Sequence, residues 1–204
     1  MDFDTPLLTN IPSEALGAEV EISVLFPPRF DGETLPLILN LHGGGDDRRS
    51  LVESKAVYDS LMLSGDLPRA LVASFSAGLS FYSGGYEAFI VEEYPEFLHR
   101  EFGVSLLPAD TAVTGVSMGG FGSLKVAFKF PERFGVVAAL EPGVLPHVSY
   151  QTELSADNWW SKDTIDLGVW GDPVDVEQWQ ADNPASVVLE NADRIRDSGM
   201  AIYL

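Results

Sequence analysis

The chain of 204 residues is 46% hydrophobic and 11% aromatic, which is enough to bury the core of one domain. Its 31 acidic and 12 basic residues give a formal charge of -19, which repels phosphate backbones and anionic lipid, so neither nucleic acid nor a membrane is expected as a partner. The lack of cysteine excludes disulfides and thiol catalysis, and the acidic start MDFDTPLLTN is unlike a secretory signal, so we expect a cytoplasmic protein.

Strand and helix patterns alternate along the chain. Apolar runs or apolar alternation predict strands at residues 18–28, 35–45, 69–77, 111–117, 135–143 and 200–204. Apolar residues at helical spacing predict helices at residues 50–63, 86–102, 122–130 and 186–199, with Pro95 kinking or breaking the second. Because parallel strands need crossover connections, this alternation predicts an α/β fold, with a mostly parallel sheet and helices on both faces.

The segment GVSMG, residues 115–119, places a serine between two glycines where a predicted strand turns into a helix. A sharp turn there strains the serine backbone and lifts the Ser117 hydroxyl above the strand end. Gly115 and Gly119 are required because a Cβ at either position would collide with the neighbouring strand or helix. The pattern predicts that Ser117 is a nucleophile. The alternative is a glycine-rich connection that happens to hold a serine.

A second glycine-rich stretch, LHGGG at residues 41–45, follows a buried predicted strand. Backbone amides in such a loop face a ligand without side-chain obstruction, as an oxyanion hole requires. We predict Gly44 as one oxyanion donor, with Gly43 as the alternative, and the amide of Met118 at the start of the next helix as the other. Taken alone, the loop is better explained as an ordinary turn, but its position one strand–helix unit before the serine strand favours the oxyanion role.

The chain resembles the esterase family of α/β-hydrolases, which includes esterase D-like S-formylglutathione hydrolases, feruloyl and acetylxylan esterases and mycolyl transferases. The resemblance rests on LHGGG, on residues 86–98 and above all on TAVTGVSMGGFGSLKVAFKFPERFGVVAAL, residues 111–140. Shorter matches are WGDP, NPAS and the final GMAIYL. The resemblance implies an α/β-hydrolase fold and a serine hydrolase that passes through an acyl-enzyme on Ser117.

In that family the triad acid follows the strand that GMAIYL begins, and the histidine comes later still. The order serine, acid, histidine is therefore not completed in residues 1–204. We expect the acid and the histidine beyond Leu204, in a C-terminal part that is truncated, cleaved off or present as another chain. Stopping at that strand would also leave apolar sheet and helix faces uncovered.

None of the three histidines is predicted to be the base. His42 lies in the glycine-rich loop, where its ring is expected to brace the loop by hydrogen bonds. His99 falls near the end of a helix that runs toward the opposite edge of the sheet. His147 lies on the active-site side, where a loop or substrate-lining role is favoured over a base.

Residues at about 144–185 interrupt the alternation, and we interpret them as an insertion over the active-site end of a single domain spanning residues 1–204. Trp159, Trp160 and Trp170 are equally explained as a wall for an aromatic acyl group or sugar and as the core of this insertion. The residues predicted to contact the substrate are His42, Tyr82, Glu141 and Trp160.

Two of these side chains have alternatives. Glu141, at the end of the strand after the nucleophile helix, lies where some α/β-hydrolases carry their triad acid, but without a histidine to orient, a carboxylate bound by loop amides is favoured. Tyr82, in SFYSGG, is also explained as a packed loop aromatic. The charged run Asp46 to Arg49 is interpreted as a solvated helix start, so no metal and no cofactor are predicted.

The sequence thus predicts an ester hydrolase acting on small or aromatic acyl esters. One alternative is acyl transfer, which requires the same acyl-enzyme. Another is a non-catalytic binding module of the same fold, and the missing histidine is the feature that favours it. A homo-oligomer, or a second chain carrying the missing part, is the only macromolecular partner expected.

Overall fold

The computed structural model describes residues 3–144 and 168–204, and in these it forms a seven-stranded sheet with the order β1-β2-β4-β3-β5-β6-β7. The strands are β1 Leu7–Ser13, β2 Ala18–Leu25, β3 Leu37–Leu41, β4 Leu71–Phe75, β5 Thr111–Val116, β6 Val136–Leu140 and β7 Ala201–Tyr203. β1 and β2 are antiparallel to each other and β2 is antiparallel to β4, whereas the remaining neighbours pair in parallel. The predicted mostly parallel α/β sheet is confirmed.

The helices are α1 Arg49–Glu53, α2 Lys55–Ser64, α3 Gly85–Ala88, α4 Tyr94–Phe102, α5 Met118–Lys129, α6 Val176–Asp182, α7 Pro184–Glu190 and α8 Ala192–Ser198. The predicted helix at residues 86–102 is divided by a π-helical turn, Phe89–Glu93. Pro95 lies in the first turn of α4, which directly follows the π-helical turn, so the backbone is helical on both sides of it. Because proline has no N–H to donate, it cannot make the helical hydrogen bond to the preceding turn, and the π-helical turn lies where that bond is lost. The predicted helix at residues 186–199 is likewise two helices, which meet at Asn191.

β1 is a strand that the sequence pattern did not predict. It pairs only with β2, at the edge of the sheet, so most of its side chains remain partly or fully exposed. Polar residues and Pro12 are tolerated at such an edge, and they obscure the apolar signal of a buried strand.

Helices cover both faces of the sheet. On one face α5 is buried along almost its whole length against Leu39, Leu41 and Val113. On the other, Leu51 and Met62 of α1 and α2 form a smaller cluster with strand residues. This places the carboxyl ends of β3, β5 and β6, where the glycine-rich loop and Ser117 begin, side by side.

Apolar side chains are exposed on β5, β6 and β7. Val116 is 46% exposed, Leu140 57% and Tyr203 63%. Exposed apolar faces were expected at this end of the sheet. Most of the predicted insertion, residues 145–167, lies outside the described residues, so the division into one domain with an insertion stays a prediction.

Candidate active site

Ser117 lies in the turn between β5 and α5 with a backbone φ of 54° and ψ of -113°, a conformation that is strained for any residue with a Cβ. Its amide donates to the Leu140 carbonyl at 3.0 Å, and its carbonyl accepts from Phe121 and Gly143, both at 2.9 Å. The neighbouring strand end and the helix therefore hold the backbone of Ser117, while the residue itself is exposed. This is the geometry of a presented nucleophile.

The two glycines that flank the serine are required by close backbone contacts. A Cβ placed on Gly119 would lie 2.0 Å from the carbonyl oxygen of Leu41, and one on Gly115 would lie 2.5 Å from the carbonyl carbon of Gly119. Both distances are far below van der Waals contact, and the atoms met are backbone atoms that cannot rotate away. The predicted collision with the neighbouring strand and helix is confirmed.

We call residues 42–45 the oxyanion loop, after its predicted role. The His42 ring holds this loop: Nε2 accepts from the Ala77 amide at 2.9 Å, which leaves the proton on Nδ1 to donate to the Gly43 carbonyl at 2.8 Å. The Gly43 carbonyl and the Gly44 amide belong to one planar peptide unit, so this bond also fixes where the Gly44 N–H points.

The preceding peptide of the oxyanion loop is fixed in the same way. The Tyr82 hydroxyl donates to the His42 carbonyl at 2.9 Å, which sets the plane that contains the Gly43 N–H. Gly43 also lies close to the nucleophile, since a Cβ built on it would be 3.9 Å from the Cβ of Ser117. The amides of Gly43 and Gly44 are therefore both oriented by hydrogen bonds that the carbonyl oxygens of their own peptide units accept, and Gly43 lies beside Ser117.

The start of α5 supplies further donors. The first backbone bond of this helix runs from the Phe121 amide to Ser117, so the amides of Met118, Gly119 and Gly120 precede the helical ladder. These groups and the helix dipole favour negative charge next to Ser117.

The structure corrects two of the substrate contacts predicted from sequence. Tyr82 is fully buried, so its ring supports the oxyanion loop from inside and cannot line a pocket. His42 is 2% exposed with both ring nitrogens bound to the backbone, so it has no polar group to offer a substrate.

The other predicted contacts have different outcomes. Glu141 directly follows β6, is exposed and has a φ of 42°, which places it on the rim beside the Ser117 turn. Trp170 is 2% exposed and packs against Phe81 and Phe121, which makes it a core residue. Trp159, Trp160 and His147 lie outside the described residues.

No base for Ser117 is found in the described part of the chain. The two histidines there are His42, whose nitrogens are engaged, and His99, whose Nδ1 lies 2.7 Å from the Val104 carbonyl at the end of α4. Nor do residues 3–144 and 168–204 contain a group of histidine and carboxylate side chains that could hold a metal. Their helices include none that is long and apolar enough to cross a membrane.

A cavity of about 230 Å³ opens beside the Ser117 turn, on the face of the sheet that α1 and α2 cover. Its walls include Asn40, Thr114 and Tyr58 as well as the apolar side chains of Val116 and Leu140. Val116 and Leu140, at the ends of β5 and β6, are exposed at this cavity.

Sequence reasoning missed a buried charged cluster, formed by Lys125 and Lys129 of α5 with Glu87 and Asp182. The Lys129 Nζ donates to Glu87 at 2.6 Å and to Asp182 at 3.3 Å, and the Lys125 Nζ lies 3.5 Å from Asp182. Trp170 and Ser83 also donate to the Asp182 carboxylate. Two lysines four positions apart in an otherwise apolar helix were the available signal.

Burial and charge compete within the buried charged cluster. Burial lowers the pKa of Lys125 from 10.5 to about 8, against the opposing effect of Asp182 and Glu87. Burial acts to raise the pKa of Asp182, but Lys125, Ser83 and Lys129 outweigh it and hold that pKa below its usual value. Asp182 is therefore a carboxylate at neutral pH, balanced by the two lysines.

An exposed serine in a strained turn between a buried parallel strand and a helix, beside a glycine loop of oriented amides, defines the α/β-hydrolase class. Solved structures agree with this fold. An S-formylglutathione hydrolase from Agrobacterium tumefaciens has a TM-score of 0.72 and 21% identity, over 94% of this chain and 73% of that one. A ferulic acid esterase has a TM-score of 0.64 and 17% identity, over 98% and 89%.

The family model described as "Putative esterase" matches residues 13–203, and the chain belongs to this family. The MPT51/MPB51 antigen of Mycobacterium tuberculosis is 24% identical over 196 residues, which are 91% of this chain. The match spans 62% of the length of that relative.

Proposed function

We propose that the protein is a carboxylic ester hydrolase that works through an acyl-enzyme on Ser117. The observation that carries this proposal is the position of the exposed Ser117 hydroxyl beside amides whose direction is fixed by hydrogen bonds. Such donors stabilise negative charge that develops in the transition state, because they need no reorganisation as the reaction proceeds. Membership of the esterase family agrees with this chemistry.

In the proposed reaction the Ser117 Oγ attacks the ester carbonyl carbon and its proton passes to a base. The carbonyl oxygen becomes an oxyanion that accepts hydrogen bonds from Met118 and from the oxyanion loop, with Gly44 as the predicted donor. Collapse of this intermediate breaks the bond to the alcohol, which leaves with a proton and gives the acyl-enzyme. Water then attacks the acyl carbon and releases the acid.

The base and its acid partner are proposed to come from outside the described residues, either from a further part of the protein or from a separate chain. Two observations support this. His42 and His99 are engaged elsewhere, and the cavity next to Val116 and Leu140 offers exposed apolar surface for a covering segment. A homo-oligomer in which a second copy covers the same surface is the alternative.

Small or aromatic acyl esters are the proposed substrates. Leu79 is 50% exposed next to Gly44, and Val116 and Leu140 flank the serine, so the rim around the nucleophile is apolar. Two of the solved structures of the same fold are an S-formylglutathione hydrolase and a ferulic acid esterase. Exposed Glu141 on the same rim would disfavour negatively charged acyl groups.

Labelling with a fluorophosphonate probe tests the nucleophile. The intact protein is expected to form one covalent adduct, mapped to Ser117 by mass spectrometry and absent in Ser117→Ala. Hydrolysis of p-nitrophenyl acetate should disappear in the same variant. If the intact protein takes up no probe, the proposal of a hydrolase is replaced by that of a non-catalytic binding module. If added alcohol traps the acyl group in preference to water, the activity is acyl transfer.

A further inference from the structure

The buried charged cluster lies behind the oxyanion loop and contacts it through one residue. We propose that Lys125 and Asp182 are positioning residues that hold the oxyanion loop in its donor geometry by acting on Tyr82. This role rests on the proposed function of Ser117 as a nucleophile.

The shortest polar contact of Lys125 is with the backbone of Tyr82. Its Nζ donates to the Tyr82 carbonyl at 2.6 Å, whereas it lies 3.5 Å from Asp182 and 4.0 Å from Glu87. Lys125 is fully buried and Asp182 is 1% exposed. The lysine therefore binds the loop that carries Tyr82, and Asp182 supplies the countercharge that keeps a buried ammonium group in place.

The loop that contains Tyr82 needs such support. Phe81 and Tyr82 have φ angles of 50° and 55°, and two consecutive residues with a Cβ in the left-handed region persist only when their surroundings hold them. Two hydrogen bonds hold this loop. The Lys125 Nζ donates to the Tyr82 carbonyl, and the side-chain hydroxyl of the next residue, Ser83, donates to the Asp182 carboxylate. Both bonds end on the buried charged cluster.

Tyr82 transmits this support to the active site. Its ring lies against the backbone of α5, since a Cβ on Gly122 would be 2.4 Å from the ring, and its hydroxyl donates to the His42 carbonyl at 2.9 Å. That carbonyl shares a peptide plane with the Gly43 amide. A rotation or shift of Tyr82 would therefore turn the Gly43 amide, which is the alternative oxyanion donor and adjoins the predicted donor Gly44.

Lys129 provides a matched control. It contacts the same carboxylates, Glu87 and Asp182, and lies one turn along α5. Within the described residues it makes no hydrogen bond to the loop of Tyr82, and it is 19% exposed. If the cluster only stabilises the fold, loss of either lysine should have the same consequences. If Lys125 positions the loop, only its loss should affect the reactivity of Ser117.

The test compares Tyr82→Phe, Lys125→Met, Asp182→Asn and Lys129→Met in the intact protein, at a temperature where thermal unfolding shows each to be folded. Fluorophosphonate labelling of Ser117 is followed over time at several probe concentrations, which separates the maximal rate from probe affinity. The first three variants are expected to lower the maximal rate about tenfold with unchanged probe affinity, since an oriented donor contributes mainly in the transition state. Lys129→Met should remain within about twofold of wild type.

The double variant Tyr82→Phe with Lys125→Met should be no slower than the slower single variant, because both changes interrupt one path. Additive losses, or equal losses in Lys125→Met and Lys129→Met, would overturn the positioning role. Hydrogen exchange of the amides at residues 42–46 is a second readout that needs no reactivity: exchange should accelerate in Tyr82→Phe, Lys125→Met and Asp182→Asn but not in Lys129→Met. An unlabelled wild type refutes the nucleophile, whereas a labelled wild type with unchanged exchange in these variants refutes the positioning role alone.

Discussion

Substitution of Gly119 by alanine tests whether the Ser117 turn depends on backbone contact between β3 and α5. The added Cβ would lie 2.0 Å from the Leu41 carbonyl oxygen and 2.8 Å from that of His42. Relief requires the helix start to move by about 1 Å away from a central strand, and overpacking of this kind costs roughly 3 kcal/mol or more where only backbone can yield. Alanine is favoured over glycine within a helix by about 1 kcal/mol, which offsets only part of this cost.

We therefore expect Gly119→Ala to lower the free energy of unfolding by at least about 2 kcal/mol, measured by urea unfolding followed through tryptophan fluorescence. Gly43→Ala is the matched control. Its nearest atoms would be at 3.5 Å and its φ is not in the left-handed region, so it should stay within about 0.5 kcal/mol of wild type. A loss below about 1 kcal/mol in Gly119→Ala would show that the turn adapts and that the collision argument is wrong.

Three further predictions concern strain, charge and exposed apolar surface. Ser117→Gly should exceed Ser117→Ala in free energy of unfolding by about 1 kcal/mol, because glycine removes the strain at a φ of 54°; equal stabilities would contradict this. Burial holds the pKa of Lys125 at about 8, below its ordinary value of 10.5, so the folded state releases that proton first. The unfolding free energy should therefore rise by about 1.6 kcal/mol from pH 8 to 9.5, and the rise should be absent in Lys125→Met. If a second copy covers the surface at Leu140, which is 57% exposed, Leu140→Ser should reduce self-association in sedimentation velocity and leave stability within about 0.5 kcal/mol; unchanged sedimentation would contradict the homo-oligomer.

The parts of the fold that were predicted from sequence are those with a local signal. β3 and β4 are apolar at all but one position each, Asn40 and Ser74, because β4 is buried on both faces and β3 is at least partly buried on both, and such runs are visible without any knowledge of their neighbours. The turn at Ser117 was predicted for the same reason, since the two glycines that the close packing requires are adjacent to the serine in the sequence. β1 gives no such signal because one neighbour and an open edge impose few constraints on its side chains.

The support behind the oxyanion loop was not predictable in this way. Ser83 and Asp182 are 99 positions apart and Lys125 and Tyr82 are 43 apart, so no local pattern connects them. Tyr82 illustrates the difficulty: its place after a strand end suggested a residue that lines a pocket, and only the tertiary structure shows that its ring is buried against Gly122.

The structure also separates two functions that the motif LHGGG combines. The glycines leave room for backbone amides to face the nucleophile, but glycine has the largest conformational freedom of any residue, so a loop built from it does not hold a direction by itself. In this protein that direction is imposed on two consecutive peptides from their carbonyl side, by the His42 ring on one and the Tyr82 hydroxyl on the other. A donor loop of this kind needs glycines in front of the substrate and buried hydrogen-bond donors behind it. The fully buried Tyr82 meets the second requirement directly, and under the proposed positioning role the fully buried Lys125 supports Tyr82 from behind.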